Sequence, residues 1–367
     1  MKYKTSNFLV IILFILLITL PQILAWIMGK NNIEISIAEN RNLYQKPKLE
    51  LATITTYPQK YENYYNDNLP FRENFIDIWS KINYKFFNTS VDNRCVIGKD
   101  GWLFYRGDDA LSKNNVITQI QGISEFSENE KKNILENLKL NNNKLKANNI
   151  EMYILVLPNK ENIYREYLPD SISIKNNTSR TENLIEYIKN NSDINIIYPK
   201  NELLKVKEKY QIYRKYDTHW NRIGSCIGTI ALQKSIDKKF AFDIYDIEVE
   251  EIKEKDNNDL AIMAGVKELH ENTLKVKNFY TQIEYKVNKE ETYEEYISNS
   301  SNDKTVLFIG DSFRENMRED FSKLYKRVVY VHRGFYTEDL IQKIKPNIVV
   351  YEILERYSTQ LNKQIIK

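Results

Sequence analysis

Two short motifs carry the residue types that acyl transfer needs. Gly310-Asp311-Ser312-Phe313 puts a serine two residues after the apolar run TVLFIG (305–310) ends. At a strand-to-helix turn that hydroxyl is exposed, and the free N–H groups of the incoming helix meet a developing oxyanion. Asp217-Thr218-His219-Trp220 puts a histidine two residues after a carboxylate, in a chain with 3 histidines. Serine needs a base, and the base needs an orienting group. In an extended segment residues i and i+2 point to one side, so Asp217 can hold one ring nitrogen of His219 while the other faces a serine. Plainer readings exist for each motif: a helix cap for Asp311 or Ser312, and a turn before an N-capped helix for DTHW. His332, at a strand end, is a second candidate base, and His270 in VKELHEN reads as a solvated helix residue. Lys160 and Tyr164 in LPNKENIYREYLP, Arg333 in VHRGFY, and Glu352 with Arg356 near the C-terminus are placed to line a site. Glu352 and Arg356 equally suit a helix-face pair, and Trp102 and Trp220 suit core packing.

The elements that must position these residues alternate between two periodicities. Continuous apolar runs at 150–158, 194–199, 305–310, 328–332 and 347–354 read as buried strands. Between them lie helical patterns: one opened by a Ser127/Glu130 capping box with Leu135, Leu138 and Leu145 on one face, then 181–191, the stretch after DTHW, a helix from about Phe313, and 337–345. Gly224 and Gly228 permit close packing of the helix after DTHW. This alternation predicts an α/β fold, a parallel sheet with helices on both faces, whose ligands bind beyond the carboxyl ends of the strands. Upstream, Phe71, Phe75, Ile78, Trp79 and Ile82 have helical spacing, and in VIGKDGWLFYRGD the glycines 98, 101 and 107 bracket a short aromatic strand. An insert at about 237–303, with charged alternating segments such as 247–255 and 274–287, suits antiparallel strands or an inserted loop region. The expected organisation is an N-terminal segment 1–30, a proline-marked spacer 31–65, and a domain 66–367.

Composition narrows the functions. Lys+Arg of 53 against Asp+Glu of 50 gives a net charge of +3, too little to hold a phosphate backbone, so no nucleic-acid partner is expected. The 10 glycines form neither a dinucleotide-binding nor a P-loop spacing. Three histidines and 2 cysteines without close spacing do not build a standard zinc site. No metal or cofactor is expected. Cys95 and Cys226 read as buried thiols.

Phe8 to Met28 carries no charge and is long enough to cross a hydrocarbon core of about 30 Å. Lys2 and Lys4 before it favour a cytoplasmic N-terminus, with the rest of the chain outside. It reads as a signal anchor, so the protein is expected at the cell membrane with an extracytoplasmic domain. A cleaved signal peptide is the rival, given Ile23-Leu24-Ala25 before Trp26 and a helix-interrupting Pro21.

FIGDSF placed after YDTHW, with GKDGWLFYRGD upstream and YEILERY near the end, resembles the SGNH-hydrolase-like proteins of the AlgJ/AlgX and DHHW type over roughly residues 60–358. The resemblance implies an SGNH-like (flavodoxin-like) fold with permuted motif order, since ordinary SGNH hydrolases carry the serine early and the Asp-His pair late. It implies Ser312 as nucleophile, His219 as base and Asp217 as orienter. Thr218 stands where a histidine occurs in a literal DHHW. The implied activity is O-acetylation of a cell-surface polysaccharide or exopolysaccharide, with acetyl supplied by a membrane-bound O-acyltransferase. An acetyl-esterase with the same triad, or a non-catalytic polysaccharide-binding or assembly protein, are the alternatives. Substrate contacts are expected from Lys160, Tyr164, Arg333 and Trp220.

Overall fold

Uninterrupted Val, Ile and Leu runs make strands that bury both faces, and here they build the middle of one seven-stranded sheet. In a computed structural model that describes residues 2–27, 35–36, 41–253 and 258–363, its strands are β1 (Glu151–Leu157), β2 (Asn195–Ile197), β3 (Tyr285–Lys289), β4 (Tyr293–Ser298), β5 (Thr305–Gly310), β6 (Arg327–His332) and β7 (Ile348–Leu354). The order across the sheet is β2-β1-β7-β5-β6-β4-β3. The first five are parallel, with Val350 of β7 opposite both Tyr153 of β1 and Phe308 of β5. β4 and β3 add antiparallel to β6 and to each other.

The sheet is therefore mixed, where a parallel one was expected. The hairpin comes from the insert, whose charged, alternating segments suit a half-exposed edge: Lys286, Asn288 and Lys289 of β3 are exposed. The insert's other pairing, Val249–Ile252 with Thr273–Val276, is a separate antiparallel ribbon. Residues 254 and 255 of the charged run lie outside the described residues.

The helices are α1 (Glu128–Lys146), α2 (Arg180–Asn191), α3 (Lys200–Lys207), α4 (Arg222–Ile236), α5 (Arg314–Ser322) and α6 (Asp339–Ile344). Capping boxes at Ser127/Glu130 and Ser179/Glu182 start α1 and α2 by satisfying otherwise orphaned N–H groups. Leu135, Leu138 and Leu145 of α1, Leu184 and Ile188 of α2, and Leu340 and Ile344 of α6 pack with Ile154, Leu307, Val329 and Val349 in one core. On the other face Phe308 meets Phe321 of α5 edge to face at 5.4 Å. Close packing of α4 does require its glycines, since a Cβ on Gly228 would lie 2.6 Å from the Trp220 ring.

The short aromatic strand expected in GKDGWLFYRGD forms as Leu103–Tyr105 and pairs antiparallel with the preceding Cys95–Ile97 around a tight turn in which Gly101 has φ 73°. Cys95 and Cys226 are both buried and not joined in a disulfide.

The chain divides into two compact units, Met1–Asp92 with Ile262–Lys267, and Asn93–Ala261 with Glu268–Lys367. The first division falls between Asp92 and Asn93. In the first unit, Lys2–Ile27 is one helix that continues through Pro21; a proline removes a single helix bond there, which the flanking apolar turns tolerate. Asn7–Leu24 is long and apolar enough to cross a membrane. The segment expected as spacer contains a helix at Tyr57–Asp67, whose Pro58 sits in the first turn where no N–H is needed. Residues 31–34 and 37–40 of that segment lie outside the described residues. The apolar spacing from Phe71 forms the helix Arg72–Ile82.

Candidate active site

Because β1, β7, β5 and β6 are parallel, the segments that follow them leave the sheet at one rim. Ser312 follows β5 and is exposed. His219 reaches that rim from the loop between α3 and α4, with its Nε2 2.7 Å from Ser312 Oγ. Its Nδ1 lies 2.7 Å from Asp217 Oδ1, which also accepts the His219 backbone N–H at 2.8 Å. The i, i+2 spacing thus places the carboxylate against the ring. Burial pushes the Asp217 carboxyl up, but the hydrogen bond and charge of His219 prevail and hold it below its usual value. Burial pulls His219 down, and the bond and charge of Asp217 outweigh it, so the imidazole is more basic than usual.

His332 makes no such relay. Its Nδ1 accepts the Gly334 N–H at 3.1 Å, and burial together with the charges of Arg314 and Arg333 makes it less basic. His270 is exposed, but on a loop rather than a helix.

The remaining candidates prop the site up. Lys160 is 1% exposed and its ammonium donates to the carbonyls of Arg214, Lys215 and Asp217 at 2.9, 3.0 and 2.8 Å. All three of its protons are used, so none is left for a substrate, contrary to the expected contact. Tyr164 is 3% exposed, accepts the Ile212 N–H at 2.9 Å and stacks on Trp102 at 4.3 Å, which makes it core rather than substrate surface. Trp220 is fully buried rather than facing a substrate; its indole N–H donates to the Phe313 carbonyl at 3.1 Å and so ties the His219 loop to the Ser312 turn. Arg333 bonds Asp311 Oδ2 at 3.2 Å and Gln360 Oε1 at 3.1 Å. Glu352 and Arg356 share no helix: Glu352 ends up in β7, with no exposure, and accepts the Asp311 N–H at 2.8 Å. A Cβ at residue 310 would meet that carboxyl at 2.4 Å, which is why glycine precedes the turn. The Phe313 N–H is likewise taken, by Asp311 Oδ1 at 3.0 Å. The N–H of Ser312 itself has no acceptor among the described residues and is the donor left for an oxyanion.

One participant has no signal in the sequence. Asp259, in the charged insert, accepts the Thr218 N–H at 2.7 Å and hydroxyl at 2.6 Å, and its own N–H donates to Asp217 Oδ2 at 3.1 Å. Burial and the Asp217 charge push its carboxyl up. Asp217, His219 and Asp259 offer ligand atoms within 4.8 Å of one another. Both Asp259 oxygens already accept protons from Thr218, which suits a hydrogen-bonded relay better than a cation.

A central parallel sheet with a serine on the turn after β5 and an Asp-x-His loop beside it defines an SGNH-like α/β protein. Residues 95–329 match the model of the SGNH hydrolase-like domain, acetyltransferase AlgX, and the chain belongs to that family. Over 321 residues it is 23% identical to the "Probable alginate O-acetylase AlgJ" of Pseudomonas fluorescens, a match covering 81% of this chain and 76% of that one. Of solved structures, a DHHW family protein from Eubacterium siraeum is similar with a TM-score of 0.52 at 14% identity, covering 75% of this chain and 96% of that one. Bacillus cereus PatB1 with a sulfonyl adduct gives 0.50 at 16%, covering 72% and 96%. These two likenesses are of fold.

Proposed function

We propose that this protein is a serine-dependent O-acetyltransferase that moves acetyl through an acetyl-serine onto hydroxyls of a polysaccharide outside the cytoplasm. The single observation that carries the reading is the relay of 2.7 Å and 2.7 Å linking Ser312, His219 and Asp217. His219 Nε2 takes the hydroxyl proton as Ser312 Oγ attacks the acetyl carbonyl, and Asp217 holds the imidazolium. The Ser312 N–H faces the resulting oxyanion. His219 then returns the proton to the departing group. In the second half a sugar hydroxyl gives its proton to His219 and attacks the acetyl-serine, and Ser312 leaves with that proton restored. The AlgJ relative is named as an alginate O-acetylase, which supports polysaccharide as acceptor. The apolar helix Lys2–Ile27 supports a membrane-tethered domain. A membrane-bound O-acyltransferase is the matching acetyl source, since activated acetyl is made in the cytoplasm.

Ser312→Ala and His219→Ala are each expected to lower acetyl transfer on the order of 10⁴-fold, measured with a soluble acetyl ester and an oligosaccharide. Comparable transfer by Ser312→Ala rules out the mechanism. Acetate release indifferent to added sugar assigns an esterase instead.

A further inference from the structure

On the same rim, a cavity of about 140 Å³ opens beside the nucleophile's turn, lined among others by Tyr105, Asp108, Asp109, Gln119, Arg356 and Tyr357. At about 30 Å³ of liquid volume per water this holds roughly five waters, the size of cavity that takes one six-membered ring. Its place follows from Arg356, whose guanidinium lies 5.1 Å from the Tyr105 ring, 5.4 Å from Tyr357 and 5.8 Å from Phe313. Phe313 is the residue after the nucleophile, and its ring stacks on His219 at 4.6 Å.

The cavity's polar groups are unevenly matched. Gln119 is 5% exposed, and its amide nitrogen donates to the Asn114 carbonyl at 2.7 Å, yet its Oε1 is buried with no partner. A ligand hydroxyl that donated to it would relieve the cost of leaving a buried acceptor unpaired. The Asp109 carboxylate has no hydrogen bond or ion pair among the described residues, and Asp108 receives the Tyr105 hydroxyl on one oxygen. Against these acceptors stands one charged donor, Arg356, whose Nε is also buried without a partner. A ligand that fits must bring hydrogen-bond donors to these acceptors. Each sugar hydroxyl brings one, whereas a carboxylate only accepts and would face Asp108 and Asp109.

We propose that this cavity is the acceptor subsite and that it takes an uncharged, hydroxyl-rich pyranose, a hexose or N-acetylhexosamine unit, in preference to a uronate. The assignment rests on the acetyltransferase reading for its role, but not for its ligand. It gives GKDGWLFYRGD and YEILERY a shared purpose, because the hairpin segment brings Tyr105 and Asp108, and the turn after β7 brings Arg356 and Tyr357, to one place, with Arg356 against the ring of Phe313.

The test is calorimetric binding of a neutral oligosaccharide (chitotetraose or cellotetraose) and a mannuronate tetramer to the full chain in detergent. At least one neutral oligomer is expected to bind about tenfold or more tighter than the uronate. Asp109→Lys, at an exposed position, should narrow or invert that preference, and Gln119→Leu should weaken neutral binding. Equal or tighter uronate binding, a preference untouched by Asp109→Lys, or no binding of either class at millimolar concentration overturns the proposal. Labelling of Ser312 by a sulfonyl fluoride in the same protein reads the acetyltransferase proposal separately. Labelling without neutral-sugar binding sinks the subsite alone, and neutral-sugar binding without labelling leaves the subsite and sinks the mechanism.

Discussion

The loop carrying His219 and the turn carrying Ser312 meet at 2.7 Å, but they are held by different physics. The Ser312 turn grows out of the core. β5 lies at the middle of the sheet, between β7 and β6, and the buried Glu352 of the adjacent strand takes the Asp311 N–H. The His219 loop has no helix or long strand of its own; one isolated bridge, Tyr213 to Trp220, closes it. It is fixed by charged side chains sent from elsewhere, Lys160 just after β1 and Asp259 in the insert. Sheet register thus sets Ser312, while a few buried polar bonds set His219. The His219 side should be the easier one to break.

The strongest challenge to that contrast is Lys160→Met, which removes the ammonium from the Arg214, Lys215 and Asp217 carbonyls and leaves the buried one at Asp217 unsatisfied at a cost of about 1–3 kcal/mol. Labelling of Ser312 should slow on the order of 100-fold, with a clearly lower Tm. A variant that melts and reacts like the parent would mean the loop is held some other way. Asp259→Asn should act more gently, within about tenfold on kcat, and with a signature in pH. In the proposed mechanism the working base is neutral His219, whose basicity is raised, so activity is expected to rise with pH through a midpoint above the usual value of about 6.5. Asp259 contributes to that rise by its negative charge, so removing the charge should shift the acid limb of kcat/KM to lower pH. An unmoved or upward-shifted limb would separate Asp259 from the relay. Smallest of all should be Glu352→Gln. Burial and the Asp311 charge push the Glu352 carboxyl far up, so the folded protein keeps a proton that the unfolded chain releases. The parent should then lose stability as pH rises above the ordinary carboxylate range. The glutamine variant should match it within about 1 kcal/mol at low pH and show a flatter stability profile above. Denaturant melts across pH decide this, and a steeper profile would show that Glu352 is ionised.

The same contrast explains what the sequence made legible. TVLFIG was readable as a strand because its run is almost wholly apolar, and it spans Thr305–Gly310 as written; serine at its end followed. Asp217 and His219 were readable because their spacing is local. Lys160 was misread because a lysine after a strand looks solvent-facing, and nothing nearby indicates that carbonyls 54 to 57 positions away will use its protons. Asp259 was hidden for the same reason inside a charge-rich insert. The Tyr57–Asp67 helix escaped because its tyrosines and asparagines carry weak periodicity and Pro58 suggested a linker. The insert's contribution to the main sheet was also missed, since alternation predicts a strand but not its partner.

The place of β7 has one further consequence. The strand latest in the sequence fills the slot between β1, which ends at Leu157, and β5, which begins only at Thr305. Until residues 348–354 have emerged, the two halves of the rim share no ladder, and a parallel pairing of such long range forms slowly. A chain shortened before residue 348 would hold Asp217, His219 and Ser312 intact in sequence and still have no scaffold on which to bring them together. Assembly of the rim is thereby deferred until residues 348–354 have been made.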